Sequence, residues 1–218
     1  MRYANVIIVL MIIVAPYIIL LSSFQKVAFD QNVYKEQYTL LKVYDNPRFK
    51  DVDIDGETRS LITYLRKGDG LIASDFYDDS EKSHLLDVRE LIRSALSLRR
   101  FLFFLTVVAL VLLARYDPHR LLKNTSLYFI GAGVLTLVMM AIGYLVQPYF
   151  DGIFMGFHEA FFKPGTYLFD PATSNMINLF PGPFFQNLLM LIVKNSVFLA
   201  SVYLLIGIVM LKVKKYEI

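Results

Sequence analysis

The sequence predicts an α-helical integral membrane protein: four transmembrane helices with an extracellular cap of short strands and helices, built from the first and third loops. Three observations predict it. Of the 218 residues, 56% are hydrophobic and the mean hydropathy is +0.50, an average that a soluble domain of this size seldom has. Four stretches are apolar over lengths near the roughly 20 residues that cross a hydrocarbon core of about 30 Å. The basic residues are shared unevenly among the connections between them.

The apolar runs are Ala4–Leu21, Phe101–Ala114, Leu127–Val146 and Leu189–Leu211. They divide the chain into spans at 1–23, 100–115, 127–146 and 189–211, with cap segments at 24–99 and 147–188, a loop at 116–126 and a tail at 212–218. The first run is longer than the roughly 7–15 apolar residues of a signal peptide and no small-x-small cleavage pattern follows, so it is expected to stay as an anchor. The loop at 116–126 carries Arg115, Arg120 and Lys123 at or near its ends, and the tail carries Lys212, Lys214 and Lys215; the third loop has Lys163 alone. The positive-inside bias therefore puts the short loop, the tail and the N-terminus in the cytoplasm of a plasma-membrane protein, with the first and third loops outside. The first loop is rich in Lys and Arg, but loops longer than about 60 residues cross largely regardless of charge. Arg99 and Arg100 at the outer end of the second span are expected to meet lipid phosphates or snorkel.

Within the first loop, Val33–Tyr44 is β-branched and aromatic and predicts strands, with a turn at Asn46-Pro47. Thr58–Lys67 predicts a helix stopped by Gly68 and Gly70. Ser80–Arg100 predicts a longer helix capped by Ser80 and continuing into the second span. The third loop concentrates phenylalanine to a degree that water does not tolerate, so it must lie at the membrane surface, fold beneath the first loop, or both. Asp151–Phe162 predicts a helix broken by Pro164-Gly165; Asp170-Pro171 predicts a turn and Pro181-Gly182-Pro183 a break.

The chain has no cysteine, which removes disulfides, thiolate metal sites and a cysteine nucleophile together. A net charge of +3 with interleaved acids and bases gives no nucleic-acid footprint. Candidate chemistry rests on two of the three histidines, His84 and His158, one in each outer loop; His119, in the short loop, is assigned no role. At helical spacing His84 shares a face with Asp87, Val88 and Leu91, and Asp87 at i+3 is placed to orient the imidazole. That pair is equally a surface histidine with a chance acidic neighbour. His158 lies on an Asp151, Met155, His158, Phe162 stripe, and Asp151 is equally a helix cap. His158-Glu159 starts like H-E-x-x-H, but Phe162 stands where the second histidine is needed, and no G-x-S-x-G elbow or Gly-rich phosphate loop is present. Two histidines and a carboxylate would still suffice for some metals.

The segments Ser83-His-Leu-Leu-Asp-Val-Arg-Glu-Leu91, Phe157-His-Glu-Ala-Phe-Phe162, Thr166-Tyr-Leu-Phe-Asp-Pro171 and Asn178-Leu-Phe-Pro181 resemble a family of bacterial integral membrane proteins that contains the lipoprotein intramolecular transacylase. The resemblance covers essentially the whole chain, with both motifs in the corresponding loops and order; one departure is Tyr167, where tryptophan is usual. It implies an acyltransferase of low-GC Gram-positive bacteria, with His84 and His158 as the catalytic pair and no cofactor or metal. The substrate it implies is a lipoprotein whose N-terminal cysteine carries a diacylglyceryl group and a free α-amine. The sn-2 acyl chain moves to that amine, leaving the lyso-form lipoprotein. Ser83, Asp87, Arg89 and Asp151 are then expected to support the site, and Phe157, Phe161, Phe162 and Tyr167 to pack the substrate; Arg89 would anchor the loop or a carboxylate, and a solvated-face reading competes equally. The expected partners are the lipoprotein and membrane lipids, with no nucleic acid. Two readings from other classes compete: a non-catalytic cap that binds lipid or peptide, and a metal-dependent hydrolase at the outer face.

Overall fold

A computed structural model describes residues 2–215; the end of the expected cytoplasmic tail, 216–218, lies outside the described residues. Eight α-helices follow in order: α1 (Arg2–Ala28), α2 (Gln31–Leu40), α3 (Ile54–Lys67), α4 (Asp79–Tyr116), α5 (Leu121–Leu145), α6 (Phe150–Phe161), α7 (Asn175–Leu179) and α8 (Gly182–Lys215), with short 3₁₀ turns between some of them. Helices α1, α4, α5 and α8 are long and apolar enough to cross a membrane, so the four-span helical class is the one observed. At 1.5 Å per residue, the 38 residues of α4 extend about 57 Å, nearly twice a hydrocarbon core. Its apolar part starts at Phe101, and its first turns, residues 79–95, group with the first and third loops and not with the apolar lengths of the long helices.

The strands expected at Val33–Tyr44 are absent; no described residue is in a strand. Most of that segment forms α2 instead, and its end enters a 3₁₀ turn at Val43–Asp45. Asp30 caps α2 by accepting the Asn32 N–H at 3.0 Å, and Tyr34, Gln37 and Tyr38 recur at i, i+3 and i+4 as its buried face. The aromatic content that suggests a strand is here the buried stripe of a helix. Two other starts also shift. Helix α3 begins at Ile54 because Asp53 accepts the Gly56 N–H, and it ends at Gly68 as expected. Helix α4 is capped by Asp78, not Ser80: Asp78 Oδ1 accepts the Glu81 N–H at 2.8 Å and Glu81 Oε2 accepts the Asp78 N–H at 3.0 Å, a reciprocal capping box. Helix α4 does run without a break into the second span.

The chain separates into two compact units. The first gathers Met1–Phe24, Leu96–Val146 and Leu191–Ile218, and holds the apolar lengths of the four long helices. Its core includes Ile8, Met11 and Ala15 of α1, Leu113 of α4, and Tyr128 and Ala132 of α5. Small residues set the spacing: a Cβ on Gly133 would stand 2.8 Å from the Ala200 carbonyl, and one on Gly207 2.9 Å from that of Ser126, whose hydroxyl donates to Gly207 O at 2.8 Å. Apolar side chains such as Phe104, Val111 and Leu205 stay exposed, as lipid-facing residues do. Arg99 donates to Ser22 Oγ at 3.3 Å, an intramolecular partner not foreseen for it.

The second unit gathers Gln25–Ala95 and Gln147–Met190, so the first and third loops make one body. Tyr34 and Tyr38 of the first loop pack on Phe180 and Phe184 of the third, with Tyr38 stacked 5.9 Å from Phe184. Arg48 donates to Thr173 O at 3.0 Å and Asn175 Oδ1 at 3.2 Å, and also to Ala172 O. Half of the phenylalanine puzzle is thereby answered: Phe180 and Phe184 are buried, whereas Phe157 and Phe161 remain exposed.

Candidate functional site

His84 occupies the second turn of α4 and His158 the third turn of α6. The capping box fixes where α4 begins, and therefore which face His84 takes; the 3₁₀ turn at Gln147–Tyr149 does the same for α6. Both elements lie in the cap body, and they bring the two imidazoles face to face with centroids 6.0 Å apart and planes 18° from parallel. No hydrogen bond joins the rings.

Aromatic rings enclose the pair. Phe162 lies 4.8 Å from His84 and 5.3 Å from His158; Phe169 meets His84 edge-on at 5.6 Å; Phe154 meets His158 at 4.4 Å and Tyr167 meets it at 5.3 Å. His84 is 6% exposed, and its Nδ1 has no hydrogen-bond partner. Burial among these rings pulls the His84 pKa down to about 4, a positive His158 would push the same way, and Asp87 opposes both. His84 is thus neutral near pH 7. His158 Nδ1 lies 2.7 Å from the Phe154 carbonyl. A carbonyl only accepts, so Nδ1 carries the proton, and in the neutral ring Nε2 is the nitrogen with the lone pair.

The other expected residues distribute differently. Phe162 and Tyr167 touch the pair, and Phe157 touches His158 at 5.6 Å and leads outward to Phe161 at 5.0 Å. Asp87 does not hydrogen-bond to His84 and reaches it only by charge. Arg89 is buried elsewhere: it donates to Gly70 O at 2.9 Å, pairs with Glu90 at 2.9 Å and lies over the Tyr64 ring, which makes it the anchor of the Gly68–Gly70 turn. Ser83 and Asp151 are exposed, and Asp151 is not the cap of α6, whose N-cap is Tyr149. Two site residues escape a reading of the sequence. Phe154 is one turn before His158 and was findable by its i−4 spacing. Phe169 reaches His84 only through the loop conformation, for which the sequence carries no local signal. A groove of about 560 Å³ beside α3, lined in part by Arg59, Lys67 and Leu71, includes neither histidine. Among the described residues, no three His, Asp or Glu side chains form a metal-binding group.

A family model described as "Lipoprotein intramolecular transacylase Lit" matches residues 9–185. The structure is similar to that of the membrane integral lipoprotein intramolecular transacylase Lit from Bacillus cereus, with a TM-score of 0.84 at 18% identity over 99% of each chain. Two variants of that protein, in which one histidine is replaced by arginine or by alanine, match with TM-scores of 0.82 and 0.81 at 17% identity. They cover 100% and 99% of this chain, and 96% of each matched chain. No curated protein sequence matches.

Proposed function

The chain belongs to the lipoprotein intramolecular transacylase family, and from that membership we propose that it moves the sn-2 acyl chain of a diacylglyceryl-modified lipoprotein to the α-amine of its N-terminal cysteine, with His84 and His158 as the acid–base pair. The observation that carries the proposal is the meeting of these two imidazoles, from different loops, inside one aromatic enclosure.

Aminolysis of an ester needs a neutral amine nucleophile, a stabilised oxyanion and a proton for the leaving alkoxide. The free lone pair of His158 Nε2 suits it to accept the amine proton as nitrogen attacks the acyl carbonyl, and the Phe154 carbonyl favours the resulting imidazolium through Nδ1–H. Collapse of the tetrahedral intermediate breaks the bond between the acyl carbon and the glycerol oxygen, and the proton held on His158 returns to that oxygen. His84, neutral and face to face with His158, is the second group of the pair, and its ring N–H is assigned to the developing oxyanion. Donor and acceptor belong to one molecule, so no acyl-enzyme forms and the lack of cysteine is no obstacle. The intermediate closes a medium-sized ring, which is rarely populated in solution. Confinement by Phe154, Phe162, Tyr167 and Phe169 favours the folded conformer and keeps out water that would hydrolyse the ester. The histidine variants of the Bacillus cereus protein agree with a role for a histidine there.

The site is proposed to lie on the outer face of the plasma membrane, with both termini cytoplasmic and the loops at 24–99 and 147–188 outside, as the distribution of Lys and Arg supports.

The test is made in a lipoprotein-producing strain lacking this activity. The N-terminal lipopeptide is read by tandem mass spectrometry after expression of wild type, His84→Ala or His158→Ala. The expected result is N-acylated, S-monoacylglyceryl cysteine from wild type and from neither variant. Wild type that inserts correctly yet leaves the diacylglyceryl form untouched would refute the proposal.

A further inference from the structure

Glu81 is 1% exposed and forms no ion pair among the described residues. A buried carboxylate without a cation is costly unless hydrogen bonds replace its water. Glu81 has three. Oε2 accepts the Asp78 N–H at 3.0 Å; Oε1 accepts the Met176 N–H at 2.8 Å and the Ser174 hydroxyl at 2.5 Å. The first is local, and a capping box would supply it on any helix. The other two come from the third loop.

What those two bonds hold is the wall over His84. Ser174 is joined to Asp170 by its N–H, which donates to Asp170 O at 2.8 Å, and the Ala172 N–H donates to Asp170 Oδ1 at 2.9 Å. This tight turn directly follows Phe169, whose ring lies edge-on to His84. Glu81 itself is one helical turn before His84 on α4. The carboxylate therefore ties the turn after Phe169 to the same helix face that carries His84. Arg48 grips the far side of the turn through the Ala172 and Thr173 carbonyls.

We propose that Glu81 is a positioning residue for His84: by pinning Ser174 and Met176, it holds Phe169 against the imidazole and keeps that side of the ring dry. The consequence for turnover rests on the two-histidine reading above; the consequence for the environment of His84 does not. Glutamine at this position has the same shape, but its amide offers one oxygen and an NH₂ group, so it cannot accept from both ends as the carboxylate does.

The chain has three histidines, so ¹³C-labelled imidazoles give a spectrum that His→Gln variants assign completely. The charged groups acting on His84 are His158 from α6 and Asp87 from its own helix, neither altered by the variants used; Glu81→Gln also removes a negative charge one turn away, which alone would lower the titration, so a rise reads the entry of water. In the detergent-solubilised full chain, Glu81→Gln and Phe169→Ala are each expected to move the His84 titration up by about one pH unit or more, as water reaches the ring. Ser174→Ala, which removes one of the three bonds, moves it less in the same direction. Thr58→Ala, which loses a buried bond to Tyr38 in the same body, lowers the melting temperature and leaves the His84 titration where it was. Transacylation falls roughly tenfold to a hundredfold in Glu81→Gln. A His84 titration unmoved in both Glu81→Gln and Ser174→Ala, with melting lowered as in Thr58→Ala, would overturn the proposal and leave Glu81 a structural cap only. If Glu81→Gln does not fold, Ser174→Ala decides alone. A moved titration in a wild-type background that shows no transacylation would retain the positioning role and reject the catalytic reading.

Discussion

At the scale of single residues, the two histidines have opposite environments, and each yields a prediction. The folded-state pKa of His84 is about 4, below its ordinary 6.5, so between these values the unfolded chain binds the extra proton. Stability contributed by the neutral ring is complete above pH 6.5 and is lost as the pH falls toward 4, at a total cost of roughly a few kcal/mol. Thermal melts from pH 7 to pH 4 should show this loss in wild type and a shallower one in His84→Phe; parallel curves would show that His84 is not the group responsible. For His158, the bond to Phe154 is made by the backbone, so Phe154→Ala removes only the ring at 4.4 Å and leaves the tautomer set. Loss of that confinement should reduce transacylation by roughly tenfold, read from single-turnover lipopeptide conversion. Both histidines and Phe162 are visible as candidates from residue type and spacing, and Tyr167 through the family resemblance. Phe169 and Glu81 are not, because each owes its contacts to a loop whose path no local pattern specifies.

At the scale of elements, the helices announced themselves unevenly. The four spans are legible because hydrocarbon forces every backbone group to be paired inside its own segment, which leaves helix as the solution for an apolar run of that length. Helix α2 was misread because Tyr and Val favour strands by composition, while the deciding signals, Asp30 as cap and the Tyr34, Gln37, Tyr38 face, are positional. The start of α4 is set by Asp78 and not by the expected Ser80, because Asp78 stands three residues before a glutamate that reaches back. Asp78→Ala should therefore cost about 1 kcal/mol in the cap, measurable by a shift in chemical or thermal unfolding, whereas Ser80→Ala should cost almost nothing. In the spans, Gly133→Leu and Gly207→Leu force side chains into the backbone of the opposing helix. Each should lower the melting temperature in detergent by an amount equivalent to roughly 1–3 kcal/mol; Gly143→Leu, at a position with open space, is the control expected to change little.

At the scale of the whole molecule, the sequence fixes more about the membrane than about the cap. The proposed sidedness has a direct check: reporter fusions active only in the cytoplasm should work at position 120 and at the C-terminus, and fail at positions 50 and 170. A reporter active at position 50 would invert the orientation drawn from Arg115, Arg120 and Lys123. That the first and third loops form one body is one of the alternatives the excess of phenylalanine allows, but the partners are not legible, since burial of aromatic surface is non-directional and says only that something must cover it. The bonds between Glu81 and the residues at 174 and 176 span more than 90 positions of chain. During synthesis at roughly 5–20 residues per second, the first loop must therefore wait for several seconds after emerging, while two further segments are inserted, before the third loop arrives to satisfy the carboxylate. A ribosome that stalls in this interval leaves an open, hydrated half-cap that proteases can distinguish from the finished enzyme.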